Sequence, residues 1–265
     1  MPSLYAHYRF GKELCMSLPE PARTYALRYR ELFELGLQGP DILFFYHPFY
    51  HNYVNTLGYQ IHDWKGRKFF QAALRTIRSR RNRGASIAYI TGVACHYALD
   101  LVCHPYIESL VRYEHKNHCA IEGAFERHLI VEEDHLPPNY LVTGSIKINP
   151  ENAMIVRQFY GKTTGKQIRN AVYAMKFLND ALRMRNNHPL KRFLLFILRL
   201  LGKYNNIAGM IITPDPQPEY KESNRILRMK YDEAKPVALA LVSELLTCIQ
   251  SGEPLGRNFN PTFCG

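Results

Sequence analysis

Tryptophan occurs once in the 265 residues, and acidic side chains are outnumbered by basic ones, 23 against 34. Other scarcities narrow the field further. No CxxC pair occurs among the six cysteines, at 15, 95, 103, 119, 248 and 264, so the common thiol metal and redox motifs are missing. The chain is also long for a scaffold held by disulfides. No stretch reads as the roughly 18 uncharged apolar residues of a membrane span. The most apolar run, Phe193 to Leu201, already contains Arg199. The opening residues lack a basic-then-apolar leader pattern. These absences predict a cytoplasmic protein with reduced thiols, no signal peptide and no transmembrane helix, at most peripheral to a membrane. There is no internal repeat, low-complexity segment or clear linker, so the expectation is a single domain over residues 1–265.

The formal net charge of +11 suits nucleic acid, anionic lipid or a phosphate-bearing substrate. Its densest cluster is Arg75 to Arg83, which reads either as a solvated helix end or as an anion-steering patch.

Strand-like alternation is scarce, and Ile146 to Ile148 is too short to define a sheet. Helical periodicity covers roughly 19–36, 66–80, 85–104, 118–132, 163–186, 189–202 and 222–250. The last of these contains Pro236, which predicts a kink or a split. Loops are marked at Gly39-Pro40, Pro137-Pro138-Asn139 and Pro214 to Pro218. The fold class is all-α.

Eleven histidines are present, and their placement is informative. His96, Asp100 and His104 recur every fourth residue within SIAYITGVACHYALDLVCHPYI. A helix advances about 100° per residue, so a step of four turns only about 40° and the three share one stripe. That stripe lies in a strongly apolar helix. A buried carboxylate between two imidazoles costs several kcal/mol unless compensated, by a metal ion or by a closed hydrogen-bond network. His118 and Glu122 repeat the spacing in the next helix, and the short segment between allows the two helices to face each other across one cavity. His7, Asp41 and His62 are single residues; Asp41 reads by itself as a turn or cap residue, and His62 as a loop histidine.

The series His7, Gly39-Pro40-Asp41, His62, H-x3-D-x3-H at 96–104 and H-x3-E at 118–122 resembles the zinc-dependent phospholipase C family, related to the S1/P1 nucleases. The match in order of ligand types covers residues 1 to about 135. The resemblance implies an all-helical bundle with up to three zinc ions. One would be held by Asp41, His62, His96 and Asp100, a second by Asp100 as a bridge and His7, and a third by His104, His118 and Glu122. Secreted members place a mature N-terminal Trp on the second zinc. Here the single tryptophan is Trp64; either the amine of Pro2 replaces it beside His7, or that zinc is weakly held, completed by water, or absent.

The implied activity is phosphodiester hydrolysis by metal-activated water, with Asp41 orienting or deprotonating the water. No Ser–His–Asp arrangement and no glycine-rich phosphate loop competes. The expected substrate is a phospholipid or related phosphate ester, with peripheral contact to an anionic membrane. The alternatives are a single-strand nuclease or nucleotidase on the same fold, and a non-catalytic protein stabilised by metal. Phe44, Phe45, Tyr46, Phe49, Tyr50 and Tyr53 read as core, as a lipid- or headgroup-facing surface, or as a base-stacking platform. His47 and His51 in the same run read as structural or surface residues before extra ligands. Leu190 to Leu201, with Lys191, Arg192 and Arg199, is either a buried helix with a charged face or an interfacial one.

Overall fold

The computed structural model describes residues 4–79, 83–133, 135, 142–183, 188–200, 202, 204, 211–213 and 215–265. The Pro2 amine, the Pro137-Pro138-Asn139 loop, Pro214, Leu201 and the middle of the Arg75 to Arg83 cluster lie outside them. The described residues form eleven α-helices and several 3-10 turns and no strand. The helices are α1 (Leu4–Leu14), α2 (Ala22–Arg28), α3 (Arg30–Gly36), α4 (Tyr53–Asp63), α5 (Gly66–Arg78), α6 (Arg83–Glu114), α7 (His118–Glu132), α8 (Pro150–Val156), α9 (Gly165–Arg183), α10 (Pro189–Leu200) and α11 (Lys221–Ser251).

Helix α6 is the axis of the bundle. It is apolar on every side rather than along one stripe, and such a helix is stable only when surrounded. α11 and α3 pack along it most extensively, with α1, α2, α5 and α7 completing the cover. By length and composition α6 is long and apolar enough to cross a membrane, but 89% of its most apolar stretch is buried inside the protein, as in a core helix. It also runs ten residues past the expected end, through Pro105 to Glu114. Pro105 is exposed, so water can replace the backbone hydrogen bond it removes. Exposed Pro236 is tolerated in the same way: α11 is one continuous helix and is not split.

Other boundaries depart from the periodicity. The 19–36 segment is two helices, α2 and α3, meeting at Tyr29 in a non-helical conformation. α1, α4 and α8 were not visible as periodic segments. α4 starts at a reciprocal cap between Asn52 and Asn55, a polar signal that hydrophobic counting overlooks.

One close contact sets the geometry of the site. Gly36 of α3 and Gly92 of α6 face each other: a Cβ on Gly36 would lie 2.2 Å from the Tyr89 carbonyl oxygen, and one on Gly92 2.3 Å from that of Phe33. With no side chain between them, α3 delivers the following 3-10 turn, Gly39–Phe45, directly onto α6.

Candidate metal centre

The eight singled-out residues converge on the middle of α6. His96, Asp100 and His104 are buried along one stripe of that helix. Asp41 is brought there by the 3-10 turn. Gly39 has φ of 52°, and a Cβ on it would sit 2.5 Å from the His96 ring. Only glycine combines that conformation with that approach. His62 is not a loop residue: it stands buried in the last turn of α4. His7 comes from α1, with its ring stacked on His96 at 4.1 Å between centroids. α1 is fixed by α7, where Glu126 accepts from the Tyr5 amide at 2.6 Å and the Leu129 carbonyl accepts from Arg9 at 2.8 Å. His118 and Glu122 project from the first turns of α7.

The donors fall into three groups whose ligand atoms lie within 4.8 Å of one another: His7, His96 and Asp100; Asp41, His62 and His96; His104, His118 and Glu122. Asp100 turns one oxygen to His96 Nε2 at 3.0 Å and the other to His7 at 3.3 Å and His104 at 3.7 Å. Asp41 Oδ1 lies 2.9 Å from His62 Nε2. Glu122 Oε1 lies 3.3 Å from His118 Nε2 and 3.5 Å from His104 Nε2. A cavity of about 30 Å³ opens among His7, Asp100, His104 and Glu122, the room of a single small particle.

The opposite ring nitrogens explain what these contacts are for. Nδ1 of His62 faces the Gly58 carbonyl at 2.9 Å, and that of His96 the Leu37 carbonyl at 3.2 Å. Nδ1 of His104 faces the Phe263 carbonyl at 3.3 Å, and that of His118 the Glu108 carboxylate at 2.9 Å. Carbonyls and carboxylates only accept, so Nδ1 carries the proton in each ring. A neutral ring then presents the Nε2 lone pair to a carboxylate, acceptor against acceptor. Accordingly, His96 Nε2 and Asp41 Oδ1 are buried without a hydrogen bond despite these short separations. Either these rings carry a second proton, three of them buried and His118 partly exposed, or cations lie between the lone pairs and the carboxylates. Imidazole nitrogens with Nδ1 anchored, alongside buried carboxylates, are the donor set of zinc, so the residues fit the metal.

The electrostatics agree. Burial alone would raise the carboxyl pKa of Asp100, but His96, His104 and His7 hold it well below the usual range. Glu122 is also held well below it, against burial, with His118 and His104 contributing in part. Asp41 is lowered too, burial being outweighed by His62 and His96. His104 is pushed well above the ordinary imidazole value, Asp100 overcoming the effect of burial. His7 moves down, through burial and the neighbouring His96. The carboxylates are therefore ionised and ready to bind a cation at neutral pH.

Three partners of the cluster escaped the sequence reading. Glu108 is the next step of the 96–100–104 stripe and was lost because the helix was ended before Pro105. The Leu37 carbonyl has no side-chain signal. Phe263, in the second half where no motif was visible, packs its fully buried ring 5.5 Å from His62 and 6.2 Å from His96. Its segment is tied down by the Pro261 carbonyl, which accepts from Tyr97 Oη at 2.9 Å and the Gly66 amide at 2.8 Å.

The aromatic run after Asp41 divides. Phe44 and Phe45 are core, Tyr46 and Phe49 pack against it, and Tyr50 and Tyr53 are exposed. Among the described residues, His47 and His51 join none of the donor groups.

The sequence pattern of the family described as zinc dependent phospholipase C matches residues 6–172, which takes in all eight donors and extends to the first turns of α9. No curated protein and no solved structure matches the chain.

Proposed function

The chain belongs to the zinc-dependent phospholipase C family, and on that premise we propose that it hydrolyses the phosphodiester bond of a phospholipid or a related phosphate ester. The observation that carries the reading is the set of four imidazoles, His62, His96, His104 and His118. Each has Nδ1 turned to an acceptor and Nε2 to a carboxylate.

In this reading Asp41, His62, His96 and Asp100 hold one zinc, Asp100 and His7 a second, and His104, His118 and Glu122 a third. Bound zinc supplies Lewis-acid polarisation of a phosphoryl oxygen and brings the pKa of water down to about 7. Asp41, ionised and buried beside His62, would accept a hydrogen bond from the attacking water and take its proton as the new oxygen–phosphorus bond forms. The phosphorus–oxygen bond to the leaving alcohol breaks, and that oxygen acquires a proton from solvent. Asp100 holds His7, His96 and His104 in register around the reacting phosphate. Phe44 lies against His62 at 5.0 Å and Tyr59 against Phe44 at 4.5 Å, giving that side an aromatic wall.

A single-strand nuclease or nucleotidase is the second reading, supported by the +11 charge and by exposed Tyr50 and Tyr53, which offer stacking faces. The deciding assay gives the zinc-loaded protein phosphatidylcholine dispersions and single-stranded DNA in parallel. Release of the phosphorylated headgroup supports the first reading, and release of nucleotides the second. Turnover of neither, by folded zinc-loaded protein, leaves the cluster with a structural role only.

A further inference from the structure

Helix α10 carries a solvent face that folding does not explain. Its Leu198 is fully buried, and Leu194 packs against the core, so the helix has a conventional inner side. On the outside, Arg192, Phe193, Phe196, Arg199 and Leu200 are all exposed. Their spacing of one, three, three and one residues places them on one stripe. Phe193 is 63% exposed, Phe196 56% and Leu200 68%. The neighbouring helix α9 adds Phe177, 55% exposed. Single exposed apolar side chains are ordinary. Here, every exposed phenylalanine among the described residues lies on these two packed helices.

The chemistry of the stripe selects its occupant. Its cations are Arg192 and Arg199, Lys191 being buried on the inner side with Leu198, and the helix has no acidic residue. A protein interface would accept arginine beside phenylalanine too, but the charges on this face are of one sign, the complement of a layer of lipid phosphates. A bilayer surface accommodates both within one side-chain length: apolar rings enter the acyl boundary while guanidinium groups stay with the phosphates.

We infer that α10 docks on an anionic lipid bilayer, with Phe193, Phe196 and Leu200 entering the interface and Arg192 and Arg199 engaging lipid phosphates. The docking reaches the metal centre through the fold: α10 packs on α9, and α9 packs on the 3-10 turn that carries Asp41. It goes beyond the hydrolytic reading, because it asks nothing of the metal ligands.

The test is co-sedimentation of the zinc-loaded protein with vesicles of phosphatidylcholine alone and of phosphatidylcholine mixed with phosphatidylglycerol. The wild type sediments with the mixed vesicles and is released as salt rises. Arg192→Gln with Arg199→Gln weakens partitioning about thirtyfold at low salt, each cation supporting roughly a fivefold gain near an anionic surface. Phe193→Ser with Phe196→Ser weakens it by about tenfold or more. Both variants keep the wild-type melting temperature and the wild-type hydrolysis of a water-soluble phosphodiester. That last measurement reads the hydrolytic proposal separately, so either idea fails without the other. Absence of binding to the mixed vesicles overturns the inference, as does binding that the serine variant leaves unchanged. A concentration-dependent dimer that the serine variant dissolves also overturns it, assigning the face to a second copy of the chain.

Discussion

His7 on α1 and Asp100 on α6 meet at 3.3 Å between Nε2 and Oδ1, while the other oxygen of Asp100 lies 3.0 Å from His96. One carboxylate thus joins the first helix of the chain to the central one, inside a buried site. Groups of this kind stay buried only when they are compensated, by protons shared between them or by a cation.

Replacing Asp100 with Asn removes the charge but keeps the shape. The account predicts loss of metal from the sites nearest His7 and His96, and destabilisation of roughly 3–5 kcal/mol, typical of breaking a buried charge pair. Elemental analysis and thermal melting check both parts. Full metal content in the Asn variant would show that Asp100 is not a ligand.

Asp41→Asn separates chemistry from folding. If Asp41 handles the proton of the attacking water, turnover falls by about 10²- to 10⁴-fold while the melting temperature changes far less than in the Asp100 variant. Undiminished turnover removes Asp41 from the mechanism.

Glu108 faces His118 at Nδ1 and is not itself one of the eight donors. Glu108→Gln is expected to weaken zinc at the His104–His118–Glu122 site by about 10- to 100-fold, the usual cost of a lost outer partner. Affinity at the remaining sites stays unchanged. A chelator-competition titration resolves the two classes.

The fold class was legible because α6, α7, α9 and α11 have long apolar patterns, and the ligand stripe was legible because a four-residue spacing survives in any helix. What could not be read was set by contacts remote in sequence. His62 looked like a loop residue because the start of α4 is encoded by Asn52 and Asn55 rather than by apolar periodicity. The glycine contact between α3 and α6 exists only once the helices cross. Phe263 bonds through its backbone carbonyl, which any residue possesses. Proline misled twice, at Pro105 and Pro236, because its cost depends on whether the broken hydrogen bond faces water.

Phe263→Ala tests that remote contribution. Emptying a buried phenylalanine site costs about 3–5 kcal/mol. Because the ring lies against His62 and His96, the visible spectrum of the cobalt-substituted protein is also expected to change. An unaltered spectrum would reduce Phe263 to ordinary packing.

Acid acts on the cluster through its imidazoles. His96 and His104 are held above the ordinary value in the metal-free protein, Asp100 outweighing burial. With raised folded pKa values, their charged forms stabilise the metal-free fold below the unfolded value, and that contribution is lost as pH rises through the folded values. The same protons compete with zinc. The gain in melting temperature on adding zinc should therefore be largest at mildly alkaline pH and shrink as pH falls towards about 6.5 and below. Asp100 and Glu122, lowered well below the carboxylate range, do not set this window. A zinc-dependent gain independent of pH would contradict the assignment of imidazole ligands.

The most direct measurement is the zinc-to-protein ratio of folded protein purified without chelator or metal-binding tag. The account predicts about three zinc ions per chain, fewer in Asp100→Asn and in His118→Ala. A folded, monodisperse wild-type protein that binds no zinc, even after incubation with the metal, would contradict it. The histidines would then form a hydrogen-bonded network with Asp41, Asp100 and Glu122 in place of a metal centre.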